Sequence, residues 1–138
     1  MMALFKSYDK YIIVDGSMKK YMVCGSQEGL VFSIRYPSYR GTFLSCIEEL
    51  NFFIDEQEVN QENITLMLHG KQFTINQLDD CYKEYWETLE CMQVLFLGNY
   101  TRNDYSIKVH MKHRIPYTGY NGKCLVMTSE CEKQISAN

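Results

Sequence analysis

The chain has 138 residues, of which 46% are hydrophobic and 14% aromatic, including 11 tyrosines, and its net charge is −3. That length suits one domain that buries roughly two-thirds of its unfolded surface, and the aromatic load excludes a disordered chain. No basic block is present, which argues against a nucleic-acid binder, and no apolar run approaches the about 20 residues of a membrane span.

In chain order, residues 1–10 read as a lead-in with Phe5 and Tyr8 as packing points. Tyr11-Ile12-Ile13-Val14 is a β-rich run ended by an Asp15-Gly16 turn. Lys20 to Cys24 follows as a short strand, with a turn from Gly25 to Gly29. From Leu30 the residues alternate: Leu30, Phe32 and Ile34 on one face, Val31, Ser33 and Arg35 on the other. Pro37 removes a backbone donor and holds Tyr36 extended, so regular pairing is expected to stop there. Gly41 marks a place where the chain turns or another segment approaches its backbone.

Phe43 to Leu50 reads as strand, continued by Leu50, Phe52 and Ile54. The turn at 55–58 is expected to exceed two residues, because Glu56 disfavours a positive φ. Ile64, Leu66 and Leu68 alternate with Thr65, Met67 and His69, and a tight turn at His69-Gly70 returns the chain through Phe73 and Ile75. Asn76 can cap one helical turn. Glu84 to Phe96 reads as one long or two short strands, although a helix fits 79–92 nearly as well. Gly98 to Asp104 is a polar loop.

Tyr105 to Ile115 is the cleanest strand. Ile107, Val109, Met111, His113 and Ile115 share one face, and Lys108, His110, Lys112 and Arg114 the other. Asn121-Gly122 signals a type I′ turn, Lys123 to Glu132 is the last strand, and Lys133 to Asn138 is expected to fray. Together these elements predict an all-β fold: one antiparallel β-sandwich over residues 11–132, jelly-roll-like or immunoglobulin-like. It would have eight or nine short strands and at most one short helical turn, between a lead-in (1–10) and a polar tail (133–138).

Residues that usually do chemistry are sparse. The six cysteines form no Cys-x-x-Cys pair, which speaks against zinc. The N-terminus lacks the apolar core of a signal peptide, so a cytoplasmic protein with reduced, mostly packed cysteines is expected. His69 sits in a turn where solvent is the expected neighbour, and His110 and His113 point to opposite faces of one strand. Glu48-Glu49 and Asp79-Asp80 also face apart, and no nucleophile elbow or phosphate-binding loop appears. No catalytic residue, metal ligand or cofactor site is therefore expected in this chain. Two corners stand out instead, each with a proline two residues after an arginine: Tyr36, Pro37, Tyr39 and Arg40, and Arg114, Pro116, Tyr117 and Tyr120. Tyrosine, arginine and proline on a rigid corner are the anchors that protein interfaces use. Ordinary strand ends also carry them.

Ile34 to Ser45, with Arg35-Tyr36-Pro37-Ser38-Tyr39-Arg40-Gly41 at its centre, resembles a stretch of the small (β) subunits of bacterial C-glycoside deglycosidases. Phe52 to Val59 is similar to that family's next hairpin, with Glu56 where glycine is usual. Ile64 to Ile75 and Val109 to Tyr117 resemble two further segments, in the same order. The resemblance implies a β-sandwich that pairs with a larger TIM-barrel subunit carrying a divalent metal, typically manganese, in a hetero-oligomer for which α4β4 is one arrangement. It implies a carbon–carbon lyase acting on 3-oxo-C-glycosides, sugars joined to a flavonoid-type aglycone. The 3-keto group acidifies the sugar C2 proton, a base in the large subunit removes it, and the aglycone leaves C1. Base and metal ligands belong to the large chain, so none is carried onto this one. Its expected work is to support the large subunit and wall part of the substrate pocket. Two other readings stand beside it: a stand-alone carbohydrate- or ligand-binding sandwich, and a cupin-like metalloenzyme, weakened by the lack of a His-x-His pair.

Overall fold

The alternation seen along the chain becomes alternation of burial. The computed structural model describes residues 8–38, 40–120 and 123–137, with the side chains of 115–120 and 123–125 outside that description. Its strands are β1 (Lys19–Val23), β2 (Ser26–Arg35), β3 (Thr42–Phe43), β4 (Ile47–Ile54), β5 (Gln57–Glu58), β6 (Ile64–Leu68), β7 (Lys71–Phe73), β8 (Tyr85–Trp86), β9 (Cys91–Leu97), β10 (Asp104–Tyr120) and β11 (Lys123–Ser136). They form a five-stranded sheet in the order β1-β2-β9-β6-β7, a four-stranded sheet β11-β10-β4-β5 and a two-stranded ribbon β3-β8. All of these pairings are antiparallel.

The two larger sheets face each other across a core that takes Phe32 and Phe96 from the first and Phe52 from the second. These rings meet edge to face, with centroids 5.2 to 6.1 Å apart, the geometry that the aromatic quadrupole favours. Buried side chains of β4 (Leu50, Phe52), β6 (Ile64, Leu66, Leu68) and β10 (Ile107, Val109, Met111, His113) complete the layer. This is the all-β sandwich that the pattern predicts. The strand count is higher than expected because three strands span two residues each. The single helical turn becomes four 3₁₀ turns, Asp9–Tyr11, Leu44–Cys46, Gln61–Asn63 and Ile75–Asp80. The last of these is capped by Thr74 rather than Asn76. Residues 84–96 resolve into two short strands with a turn between them.

Several local expectations are corrected. Tyr11 to Val14 is no full strand: a 3₁₀ turn comes first, then one antiparallel bridge between Ile13 and Ile34. The hairpin after β1 turns on two residues, Cys24 and Gly25, both at positive φ, so that Val23 pairs Ser26. The next hairpin also keeps a two-residue turn, with Asp55 at φ 49° and Glu56 at φ 70°. The tertiary context holds Glu56 there: the Asp55 carboxylate accepts from the Ser106 N–H at 3.0 Å and pairs with Arg102, and Asp55 N–H donates to the Ser106 carbonyl. Local conformational preference gives way to three bonds beside it.

The polar tail is likewise structural. β11 runs on to Ser136, Ile135 is buried, and Ala137 N–H donates to the Asn103 carbonyl. The segment 9–15 lies between the two sheets. It bonds β2 through Val14 N–H to Ser33 and Arg35 N–H to Ile12. It also bonds β11, where Glu130 N–H donates to the Asp9 carboxylate and Lys133 Nζ to the Ile13 carbonyl. The Asn121-Gly122 turn lies outside the described residues.

Candidate partner-binding surface

Pairing along β2 ends at Arg35, as Pro37 requires, and Tyr36 makes a single parallel bridge to Thr88. The first corner then folds inward. Tyr36 is 3% exposed; its ring leans on Trp86 at 5.4 Å and meets His113 edge to face at 5.1 Å. Its hydroxyl lies 2.8 Å from His113 Nδ1, and His113 Nε2 lies 2.9 Å from the Ser129 hydroxyl. The two corners that looked separate in sequence are thus joined, because His113 directly precedes Arg114.

Hydroxyls at both ends suit a neutral imidazole, which needs one donor and one acceptor and finds either in a hydroxyl. With no anion beside it, burial pushes the His113 pKa down to about 4. Neutral His113 is a structural joint between β2, β10 and β11.

Pro37 and Ser38 are buried beside Tyr36. Tyr36 and Pro37 are thus buried within the fold of this chain. The physical reason is local: Trp86 offers apolar area, and His113 offers the Tyr36 hydroxyl a buried polar partner. Arg40 is exposed. Arg114 is turned back on its own chain, its guanidinium donating to the Ser45 carbonyl while Nε sits 3.4 Å from Glu48. Tyr39 and the side chains of Pro116, Tyr117 and Tyr120 lie outside the described residues. Gly41 is explained by a close approach, since a Cβ there would stand 2.2 Å from the Trp86 carbonyl oxygen.

What does face solvent beside the first corner is the β3–β8 ribbon. Thr42 pairs Trp86 and Phe43 pairs Tyr85. The first pair is buried, whereas Phe43 and Tyr85 are exposed and stack edge to face at 5.1 Å. Tyr82 and Leu89, which precede and follow β8 in the chain, are both about two-thirds exposed at 65% and 67%. These four residues were not singled out in the sequence. The signal available was three aromatic residues, Tyr82, Tyr85 and Trp86, in an otherwise polar stretch.

A second cluster lies on the outer face of the five-stranded sheet. His69, at φ 56° in the β6–β7 turn, has Nδ1 3.2 Å from Glu84 and Nε2 2.7 Å from Glu90, and Lys71 pairs with Glu84 as well. Carboxylates only accept, so the arrangement favours the imidazolium, in which both ring nitrogens donate. The hydrogen bond to Glu84 holds the His69 pKa above the ordinary histidine value, with burial opposing and Glu90 adding. Hydrogen bonds from Lys71 and then His69 hold Glu84 below its ordinary value. Solvent is thus not the only neighbour of His69, as its turn position suggests. Beside the cluster runs a groove of about 450 Å³, lined by Ser33, Met67, Lys71, Glu90 and Gln93 among others.

His110 faces away from His113 and lies 3.7 Å from Glu130. Among the described residues, no three His, Cys, Asp or Glu side chains converge in a way that could hold a metal ion. The five described cysteines are free, and Cys24 and Cys91 are exposed rather than packed. No helix among the described residues is long and apolar enough to cross a membrane.

Residues 8–117 match the family described as C-glycoside deglycosidase beta subunit. The chain belongs to that family. A curated relative, the C-glycoside deglycosidase beta subunit of Eubacterium cellulosolvens, is 33% identical over 64 residues, 46% of this chain and 44% of the relative. The match thus spans less than half the relative's length. The deglycosidase family match takes in the first corner, the β3–β8 ribbon and the His69 cluster, and ends at Tyr117 in the second corner.

Proposed function

We propose that this chain is the accessory, non-catalytic subunit of a C-glycoside deglycosidase. The observation that carries the reading is the family match over residues 8–117. The chemistry is elimination from a 3-oxo-C-glycoside: a base takes the C2 proton made acidic by the adjacent ketone, a C1=C2 double bond forms as the bond from C1 to the aglycone carbon breaks, and the aglycone carbon, leaving with that electron pair, takes up a proton from a general acid. A divalent metal supplies Lewis acidity to the ketone oxygen. Among the described residues no three His, Cys, Asp or Glu side chains converge to hold such an ion; in this reading ion and base belong to a larger TIM-barrel partner, and no step is assigned here. This chain supports that partner in a cytoplasmic hetero-oligomer.

Purification of this chain with a deglycosidase large subunit from the same genome tests the reading. The expected result is a stable metal-containing complex that releases aglycone, with this chain inert alone. A chain that retains no large subunit and leaves its activity unchanged overturns it. The groove beside His69 favours one second reading, a stand-alone module for polyhydroxylated ligands, which predicts sugar binding by the isolated chain.

A further inference from the structure

We infer that the β3–β8 ribbon and the turn that follows it form the docking face for the large subunit, with Leu89 as its apolar anchor on an acidic stretch that matches a partner surface rich in Lys and Arg. This rests on the accessory-subunit reading above. The central observation is Leu89 itself. It stands at φ 70°, a conformation that suits glycine or asparagine and strains a branched side chain, and it leaves 67% of its surface in water. Strain of this kind persists where the surroundings over-determine it, and it gathers at functional positions.

The surroundings here do over-determine it. Glu90 N–H donates to the Glu87 carbonyl at 3.1 Å, and Trp86 Nε1 to the Glu90 carbonyl at 2.8 Å. Glu87 N–H donates to the Glu90 carboxylate at 3.0 Å, and the Thr88 hydroxyl to the Ser38 carbonyl at 3.1 Å. The turn is thereby tied to Trp86 and to the buried first corner. An exposed leucine held rigidly from below loses little freedom on docking, which is what makes an anchor effective. The Phe43–Tyr85 pair and Tyr82 add rigid aromatic area on the same ribbon and its approach.

Charge argues for the chemistry of the occupant. Residues 79–90 carry five carboxylates and one lysine, more negative than the whole chain at −3. Lys71 and His69 answer Glu84 and Glu90, while Asp79, Asp80 and Glu87, in the same stretch of chain, are exposed. Exposed apolar side chains carried on so acidic a stretch fit a partner surface rich in Lys and Arg.

The test measures affinity between the purified full-length chain and the purified large subunit. Leu89→Gly keeps the backbone conformation and removes only the side chain. It is expected to raise the melting temperature of the isolated chain yet weaken binding by about tenfold or more, with Leu89→Asp weaker still. Raising NaCl from about 0.05 to about 0.5 M is expected to weaken wild-type binding. Met22→Asp on β1, also exposed, is expected to bind like wild type. Wild-type binding by both Leu89 variants, or loss with Met22→Asp instead, overturns the docking face and leaves the subunit reading intact. A wild-type chain that never binds the large subunit takes down both. Self-association lost in Leu89→Asp, without binding to the large subunit, makes the occupant a second copy and also overturns the proposal.

Discussion

His113 and His69 each bridge two oxygen partners, and they do opposite things. His113 is 1% exposed and meets two hydroxyls; His69 has a side chain 38% exposed and meets two carboxylates. Burial without a counter-charge keeps the first neutral, and anions in partial contact with water keep the second charged. The difference teaches where this protein invests specificity. Its interior joint is uncharged and geometrically exacting. The surface joint is ionic and screened, so it orients the β6–β7 turn against the segment before β9 without contributing much energy.

The largest effect should come from breaking the interior joint. His113→Ala removes the buried ring nitrogens that the Tyr36 and Ser129 hydroxyls bond and opens a cavity beside Tyr36. Urea denaturation should show a loss of roughly 3–5 kcal/mol. A loss no greater than that of a typical surface substitution would mean that the joint is decorative.

Next comes acid. The folded-state pKa of His113 is depressed to about 4 from 6.5, so the unfolded chain takes up a proton first as pH falls. Its contribution is complete above pH 6.5 and is lost between there and about 4, a decline of about 3 kcal/mol from this residue. Denaturation midpoints measured across that window should fall in the wild type, and fall less in any His113 variant that folds.

The smallest effect should be His69→Gln, with the reverse sign. A raised pKa gives stability that is complete below the ordinary histidine value and disappears as pH rises through the raised one. At this exposure solvent screening limits it to less than about 1 kcal/mol. Because the His113 decline is common to both proteins, the quantity to read from melting curves is the gap between wild type and His69→Gln, which should be slightly larger at pH 5 than at pH 8 and should shrink at high salt.

The period-two alternation of Ile107, Val109, Met111 and His113 made both the sandwich and the inward face of His113 readable from sequence, because side-chain direction in a strand is a local property. Tyr36 was readable as the end of a strand, but its inward turn was not. That depends on Trp86 and His113, residues 50 and 77 positions further on, and no local rule pairs them. The His69 cluster was hidden for the same reason, its members coming from three separate elements. Glu56 shows the complementary failure: a sound local preference was overridden by Asp55, Arg102 and Ser106. Leu89 lay between Thr88 and Glu90 in a stretch whose secondary structure was itself ambiguous, so neither its turn nor its exposure could be seen.

The strap formed by residues 9–15 has a consequence for self-association. β11 is an outer strand of its sheet, and fourteen residues of unpaired edge would be a template for a second molecule. Asp9 occupies the Glu130 amide, and Ile13 with Asp15 engages Lys133, so the strap blocks that edge along its middle. Removing residues 9–15 would take the buried Ile12 and Ile13 out of the core as well as unseal its flank, so the same segment that fills the interior also keeps β11 from adding strands of its neighbours.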